Sequence, residues 1–198
     1  MIDYKNEINF DLLLDILILD IIPQTIKNVA MGNKIFAAAI LNKKDLSIVT
    51  IGLNNEIKNP LLHGEISTIN NFFELNRKLN PTDYIFLSTH EPCSLCLSAI
   101  TWAGFDNFYF FFPFNETKNK FSIPHDLKIL SEIFKIEDGS YNSNNFYWKS
   151  YSIIDEINKL SHKNIDKFNL KIKEIYDQYD DLSLKYQQNK DNNPIKLK

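Results

Sequence analysis

The sequence predicts an α/β fold, largely three-layered with helices on both sides of a sheet, and three observations carry that expectation. Short apolar runs alternate with stretches of helical periodicity between residues 34 and 134. The run "NFYFFFPF" at 107–114 is so densely aromatic that it reads as a central strand buried on both faces. Of the 198 residues, 44% are hydrophobic and 24% charged, which is ample material for one core in a chain of single-domain length.

Residues 10–22 are mostly apolar with spaced aspartates and are followed by Pro23, which predicts a first helix buried along a wide face. "KIFAAAILN" (34–42) and "DLSIVTIGLN" (45–54), joined through "NKKD", predict an antiparallel hairpin. In 62–79 the apolar positions Ile66, Ile69 and Phe73, with Arg77 in the same phase, recur at helical spacing and Pro81 lies just beyond. "DYIFLST" (83–89) reads as a strand, and 93–103 as a helix stopped by Gly104. Past residue 115 the pattern predicts a helix over 123–134 and a short extended piece in "NFYWKSYS".

Ile165, Phe168, Ile172, Ile175, Tyr179, Leu182 and Tyr186 then alternate in steps of three and four. That is a heptad-like stripe on a long helix, packed on its own domain or against a second subunit. The division expected is therefore a main domain over 1–150, an amphipathic helical extension over 151–187 and a tail without structure over 188–198.

Several function classes are set aside at this point. With a formal charge of -3, a pI near 5.8 and no dense basic cluster beside the motifs below, nucleic-acid binding ranks behind small-molecule binding. Two cysteines do not build the disulfide framework of a small secreted domain. The acidic N-terminus does not read as a signal peptide, and the apolar run 12–22, broken by Asp15 and Asp20, is too short to span a bilayer. A cytoplasmic protein with no membrane association is the expectation.

Both cysteines sit in "THEPCSLC" (89–96), at the head of a predicted helix. Positions i and i+3 share a face of the first turn, and a helix N-terminus favours thiolates, so Cys93 and Cys96 suit either a redox pair or a metal. Upstream, "HGE" places His63 and Glu65 at the start of the preceding helix. One imidazole and two thiolates make a three-ligand zinc set with its fourth position open, as a catalytic zinc requires. Glu65 lies two positions from His63, off that residue's helix face, and fits as a proton carrier; a redox pair explains neither residue. H-x-E followed by P-C-x-x-C is the signature of zinc-dependent nucleobase deaminases.

On these residues the chain resembles the cytidine deaminase-like superfamily, in its branch of free-base and tRNA deaminases. "LHGEIST" is similar to the corresponding stretch of zinc-type cytosine deaminases, whereas "EPCSLCLSAITWA", with Trp102 six residues after the second cysteine, is more like bacterial guanine deaminases. The resemblance covers residues 33–113. It implies an αβα sandwich around a five-stranded mixed sheet, one catalytic zinc per chain, a small-molecule nucleobase or nucleoside substrate and a homodimer. It further implies a substrate contact from the asparagine of "GLN", Asn54, with Asn55 as its fallback.

Trp102 is expected to pack beneath the site or form part of the pocket wall. His90 is expected to point away from the metal. His125 and Asp126 in "PHD", and Tyr147 and Trp148, are candidates to reach or close the pocket from the C-terminal part. Two other readings stay open: a tRNA adenosine deaminase, and a catalytically idle, zinc-stabilised interaction protein.

Overall fold

The computed structural model describes residues 8–75, 78–160 and 165–198. Arg77 and the side chain of Ile165 lie outside the described residues. Five strands form one mixed sheet in the order β2-β1-β3-β4-β5. They are β1 (Ala37–Asn42), β2 (Ile48–Leu53), β3 (Tyr84–His90), β4 (Asn107–Phe112) and β5 (Lys149–Ser152). The predicted hairpin pairs β1 with β2 antiparallel; β1 and β3 are also antiparallel, while β3–β4 and β4–β5 run parallel. A parallel neighbour needs a crossover, and α4 (Ser94–Ala103) supplies it between β3 and β4.

The pleat sorts side chains into two cores. Ala37, Ala39, Leu41, Ile85, Leu87, Tyr109 and Phe111 face one helical layer, and Ala38, Ile40, Phe86, Phe108 and Phe110 face the other. Every residue of β4 is buried, as its aromatic run requires of a central strand. At roughly 2–3 kcal/mol per buried Phe, β4 alone contributes a large fraction of the apolar driving force.

The first layer is made by α1 (Phe10–Asp15), a π-helical stretch (Ile16–Ile21), α2 (Ile22–Ala30) and α8 (Ile165–Asn189), with the short α7 (Ile153–Asn158) beside β4 and β5. The opening helix does not stop at Pro23. Pro23 sits in the first turn of α2, where a missing N–H is tolerated, and the wider π turn directly precedes it. Asn9 caps α1, its side-chain oxygen accepting from the Leu12 N–H at 3.2 Å. On α8 the stripe faces inward: Ile175, Tyr179, Leu182 and Tyr186 are buried, and Phe168 and Ile172 pack at the margin of the same core. Lys171 reaches Asp11 at 2.7 Å and Asp15 at 2.6 Å, fixing the register of α8 on α1 with surface pairs worth little energy each.

The expected boundaries at 150 and 188 take a particular form here. β5 runs across residue 150 as part of the sheet. Beyond α8 a 3-10 turn (Lys190–Asn192) leads into residues that fold back, with Ile195 buried and Asn193 Nδ2 donating to Gly32 O at 3.0 Å. Among the described residues no helix is long and apolar enough to cross a membrane.

The second layer holds α3 (Gly64–Leu75) and α4, whereas α5 (Phe114–Asn119) reaches α8, Tyr176 Oη donating to Glu116 Oε1 at 2.8 Å, and α6 (His125–Phe134) packs against both α5 and α4. Residues 113–114, read from sequence as the end of the aromatic strand, instead open α5, because Pro113 leaves the sheet and caps the next helix. α3 lies unusually close to the β1–β2 hairpin. A Cβ on Gly52 would sit 2.2 Å from Thr68 N, and a Cβ on Gly64 would sit 2.7 Å from Ala37 Cα.

Because the atoms nearest that Cβ include the backbone N and Cα of Thr68, which cannot turn aside, Gly52→Ala forces helix and strand apart. The expected loss is about 3 kcal/mol of unfolding free energy, read as a drop of roughly 6–12 °C in Tm by thermal unfolding.

Candidate active site

The close seat of α3 decides where the first functional side chains go. Gly64 lies against Ala37 at the head of β1, and Thr68 Oγ1, one turn later, bridges Ala38 O at 3.0 Å and Gly64 O at 2.7 Å. His63 immediately precedes that helix and Glu65 stands in its first turn. The neighbouring strand is locked in the same place, Thr89 Oγ1 lying 3.0 Å from Ala37 O and 3.1 Å from Ala37 N. β3 therefore delivers the loop Glu91-Pro92-Cys93 beside α3.

Cys93 takes the N-cap position of α4 with extended backbone, and Cys96 follows one turn along on the same side. Gly104 ends the helix in the left-handed conformation at φ 86°, as its sequence position predicts.

His63, Cys93 and Cys96 come together as the sequence predicts. The sulfurs are 3.7 Å apart, and His63 Nδ1 lies 3.4 Å from Cys93 Sγ and 3.6 Å from Cys96 Sγ. Both cysteines are free and buried. A disulfide would bring the sulfurs to about 2.05 Å. A tetrahedral zinc with bonds of ~2.3 Å to sulfur and ~2.0–2.1 Å to nitrogen places two sulfurs about 3.8 Å apart and sulfur and nitrogen about 3.6 Å apart. The three side chains thus already stand at the edges of one zinc tetrahedron, and they are a potential metal-holding group.

The electrostatics point the same way. The hydrogen bond from Cys96 pulls the Cys93 thiol well below its usual range, with the His63 imidazole adding to it. Burial pushes Cys96 well above its usual range, and the charge at Cys93 pushes it further. Burial opposes the His63 cation, but the hydrogen bond and charge of Cys93, with Glu65 and Glu56, raise it to about 9. Two thiolates in this space require a cation beside them, and a divalent ion held by all three side chains supplies one.

Glu65 adjoins the tripod. Its carboxylate is buried, with Oε1 accepting from Ser88 Oγ at 3.1 Å and Oε2 accepting from the Cys96 thiol at 3.3 Å. Burial is the main cause that raises its pKa, followed by the charge at Cys93.

Three participants were not singled out from sequence. Ser88 is buried on β3 and steadies Glu65. Lys34 and Glu56 form a buried ion pair, Nζ to Oε1 at 3.0 Å, and the same Glu56 oxygen lies 3.8 Å from His63 Nε2. The one available signal was a lysine heading the apolar run "KIFAAAIL".

Asn54 is fully buried (0% exposed). Its Nδ2 donates to Glu56 Oε2 at 2.6 Å, and its Oδ1 accepts from the backbone N–H groups of Lys34 and Glu56, each at 3.3 Å. The fallback Asn55 uses its backbone N–H to bond Leu62 O at 2.7 Å, closing the loop that leads to His63.

Trp102 is not brought to this group. It projects from the last turn of α4 and is 91% exposed. At 100° per residue it stands nine steps from Cys93, half a turn round the helix and on the opposite side.

His90 points away from the metal ligands, as the strand end predicts. Its ring is buried among Phe36, Phe112, Phe121 and Tyr179, with centroids 4.7–5.4 Å away, and burial lowers its pKa to about 3. Asp126, in the first turn of α6, is close enough to Cys93, His63, Glu65 and Lys34 to feel their charges, and burial first of all raises it to about 8. His125 Nε2 instead lies 3.0 Å from Lys198 O. Tyr147 is exposed, whereas Trp148 is buried on Phe108 and donates from Nε1 to Thr101 Oγ1 at 2.8 Å, so neither closes the site in this arrangement.

Comparison with known families adds one decisive match. Residues 21–112 match the cytidine and deoxycytidylate deaminase zinc-binding region. Over this span the chain is similar to a deaminase zinc-binding region. All three tripod ligands and Glu65 fall within it, so zinc is the metal this tripod serves.

Solved structures agree on the fold. A guanine deaminase from Bacillus subtilis aligns with TM-score 0.54 at 21% identity, over 82% of this chain and 93% of that one. A guanine deaminase from Nitrosomonas europaea aligns with TM-score 0.50 at 14% identity, over 78% of this chain and 80% of that one. No curated protein matches the sequence significantly.

His90 makes the stability of this fold sensitive to acid. Its folded pKa lies below the unfolded value of about 6.5, so the unfolded chain binds the extra proton between pH ~6.5 and ~3 and stability falls as pH drops through that window. The difference between wild type and His90→Phe in denaturant unfolding should grow in the variant's favour by up to about 1.4 kcal/mol per pH unit below pH ~6.5.

Proposed function

We propose that this chain is a zinc-dependent deaminase that hydrolyses the exocyclic amine of a small nucleobase, nucleoside or related amino-heterocycle, releasing ammonia. The observation that carries the reading is Glu65. A structural zinc site needs no carboxylate buried against the metal ligands, whereas a deaminase needs a proton carrier there.

Zinc, when held by His63, Cys93 and Cys96, supplies a Lewis acid that lowers the pKa of a water towards ~7. The proton traffic belongs to Glu65. Ser88 occupies Oε1, and a thiolate at Cys96 has no proton left to give to Oε2, so Oε2 is the free oxygen. It takes a proton from the attacking water and passes it to the ring nitrogen. A second transfer protonates the amine, which leaves as ammonia while the ring carbon keeps the water's oxygen. A carboxyl held upward by burial suits this work, because it retains the proton between the two transfers.

Asp126 on α6 feels the charges of the same group, which supports it as the candidate on that side for the substrate's polar edge. Substrate contact by Asn54 belongs to this reading only if its amide leaves Glu56 or offers its second N–H. The homodimer and the cytoplasmic setting expected from sequence go with this proposal, and analytical ultracentrifugation tests the first.

The leading substrates are cytosine and guanine, the two that the motif stretches favour. Zinc-loaded protein is expected to release ammonia from at least one member of a panel of cytosine, guanine, adenine and their nucleosides. Release from none of them by fully loaded, folded protein overturns the proposal. Glu65→Gln should keep one zinc per chain by metal analysis and lower turnover at least ~100-fold; an unchanged rate would remove Glu65 from its role.

A further inference from the structure

The buried group Lys34–Glu56–Asn54 has no part in the proton transfers above, yet it sits against the outer edge of a metal ligand. His63 turns Nδ1 towards the two sulfurs, which leaves Nε2 facing outward. The Glu56 carboxylate lies there, its Oε1 at 3.8 Å from Nε2. Glu56 is itself held from three sides. Lys34 Nζ donates to Oε1 at 3.0 Å, Asn54 Nδ2 donates to Oε2 at 2.6 Å, and the Glu56 backbone N–H donates to Asn54 Oδ1 at 3.3 Å.

Asn54 is anchored in turn. Its backbone N–H donates to Phe36 O at 2.9 Å and its carbonyl accepts from Asn28 Nδ2 at 2.7 Å. The carboxylate is thereby fixed by the strand head and by the end of α2, in a place where water is excluded.

We propose that Glu56 is a positioning residue for His63. It stands 3.8 Å from Nε2, and by closing to a hydrogen bond it would accept the Nε2 proton, fix the tautomer that leaves the Nδ1 lone pair for the metal, and hold the ring at the angle the tripod needs. Lys34 fixes one oxygen of that carboxylate through the ion pair at 3.0 Å, and Asn54 sets its direction through the other. A metal-ligating histidine that gives its other N–H to a carboxylate is more basic and less free to rotate, and loss of such a partner typically lowers metal affinity 10–100-fold. The inference rests on the tripod being a zinc site, but not on which molecule is deaminated.

The test is zinc affinity, measured on the full chain by competition with a chromogenic chelator. Glu56→Ala is expected to weaken zinc binding 10–100-fold. That variant leaves the Lys34 ammonium buried and alone, so the double variant Lys34→Met, Glu56→Leu, which removes the whole pair, is measured beside it and should show a loss of the same size.

A purely structural role would not alter the imidazole proton. Nitrogen-edited NMR of the zinc-loaded wild type should therefore show a slowly exchanging His63 Nε2–H, and in the double variant it should exchange at least tenfold faster. Wild type and both variants binding zinc within twofold of one another, or equal Nε2–H exchange, overturns the positioning role while leaving the metal site intact. A folded wild-type chain that binds no zinc overturns the metal site and this inference with it.

Discussion

Two thiols, an imidazole and a carboxylate share one buried volume, and the charge they carry is the constraint around which the rest of the structure is arranged. Left to themselves they compete. The proton that leaves Cys93 makes the loss of one from Cys96 harder, and Glu65 adds a further negative charge at contact distance. A divalent cation resolves the competition, and the protein commits rigid elements to keep the ligands waiting for it. Two helix starts, a strand head and a strand end meet there, with Gly64 pressed on Ala37 and Thr89 bonded to both polar groups of the same alanine. Pre-assembly of this kind lowers the ordering cost of metal binding.

The tripod and Glu65 were legible because each lies in a short motif whose geometry is local. A P-C-x-x-C at a helix head places both sulfurs on one side whatever the rest of the chain does. His63 and Glu65 needed one further inference, that two consecutive strand-to-helix junctions open on the same end of a sheet. The aromatic run of β4 was legible for a similar reason, since six consecutive buried residues admit few other homes.

The residues that escaped prediction depend on tertiary neighbours. Glu56 looks like any loop carboxylate until Lys34, 22 positions earlier, is seen to sit on it. Asn54 stood out for its place after Gly52, but a sequence does not say whether an amide faces a cavity or a buried acid; here it faces Glu56. Trp102 stood out for its similarity to one set of relatives, yet its helical phase already placed it opposite Cys93. The opening helix was read as ending at Pro23 because a proline usually ends one, whereas a π turn ahead of it lets the chain continue to Ala30.

The packing of α8 on α1 and α2 bears on how the molecule comes into being. One helical layer of the sandwich joins segments far apart in the sequence: Asp11 and Lys171, 160 residues apart, close it. On the ribosome, the tripod and the whole five-stranded sheet emerge before α8 does. Until then the sheet face carrying Leu41, Leu87, Tyr109 and Phe111 has only part of its cover, and the aromatic cage of His90 lacks Tyr179. Completion of that face therefore waits until α8 is synthesised. The interval leaves a broad apolar surface open to chaperones and to other nascent chains.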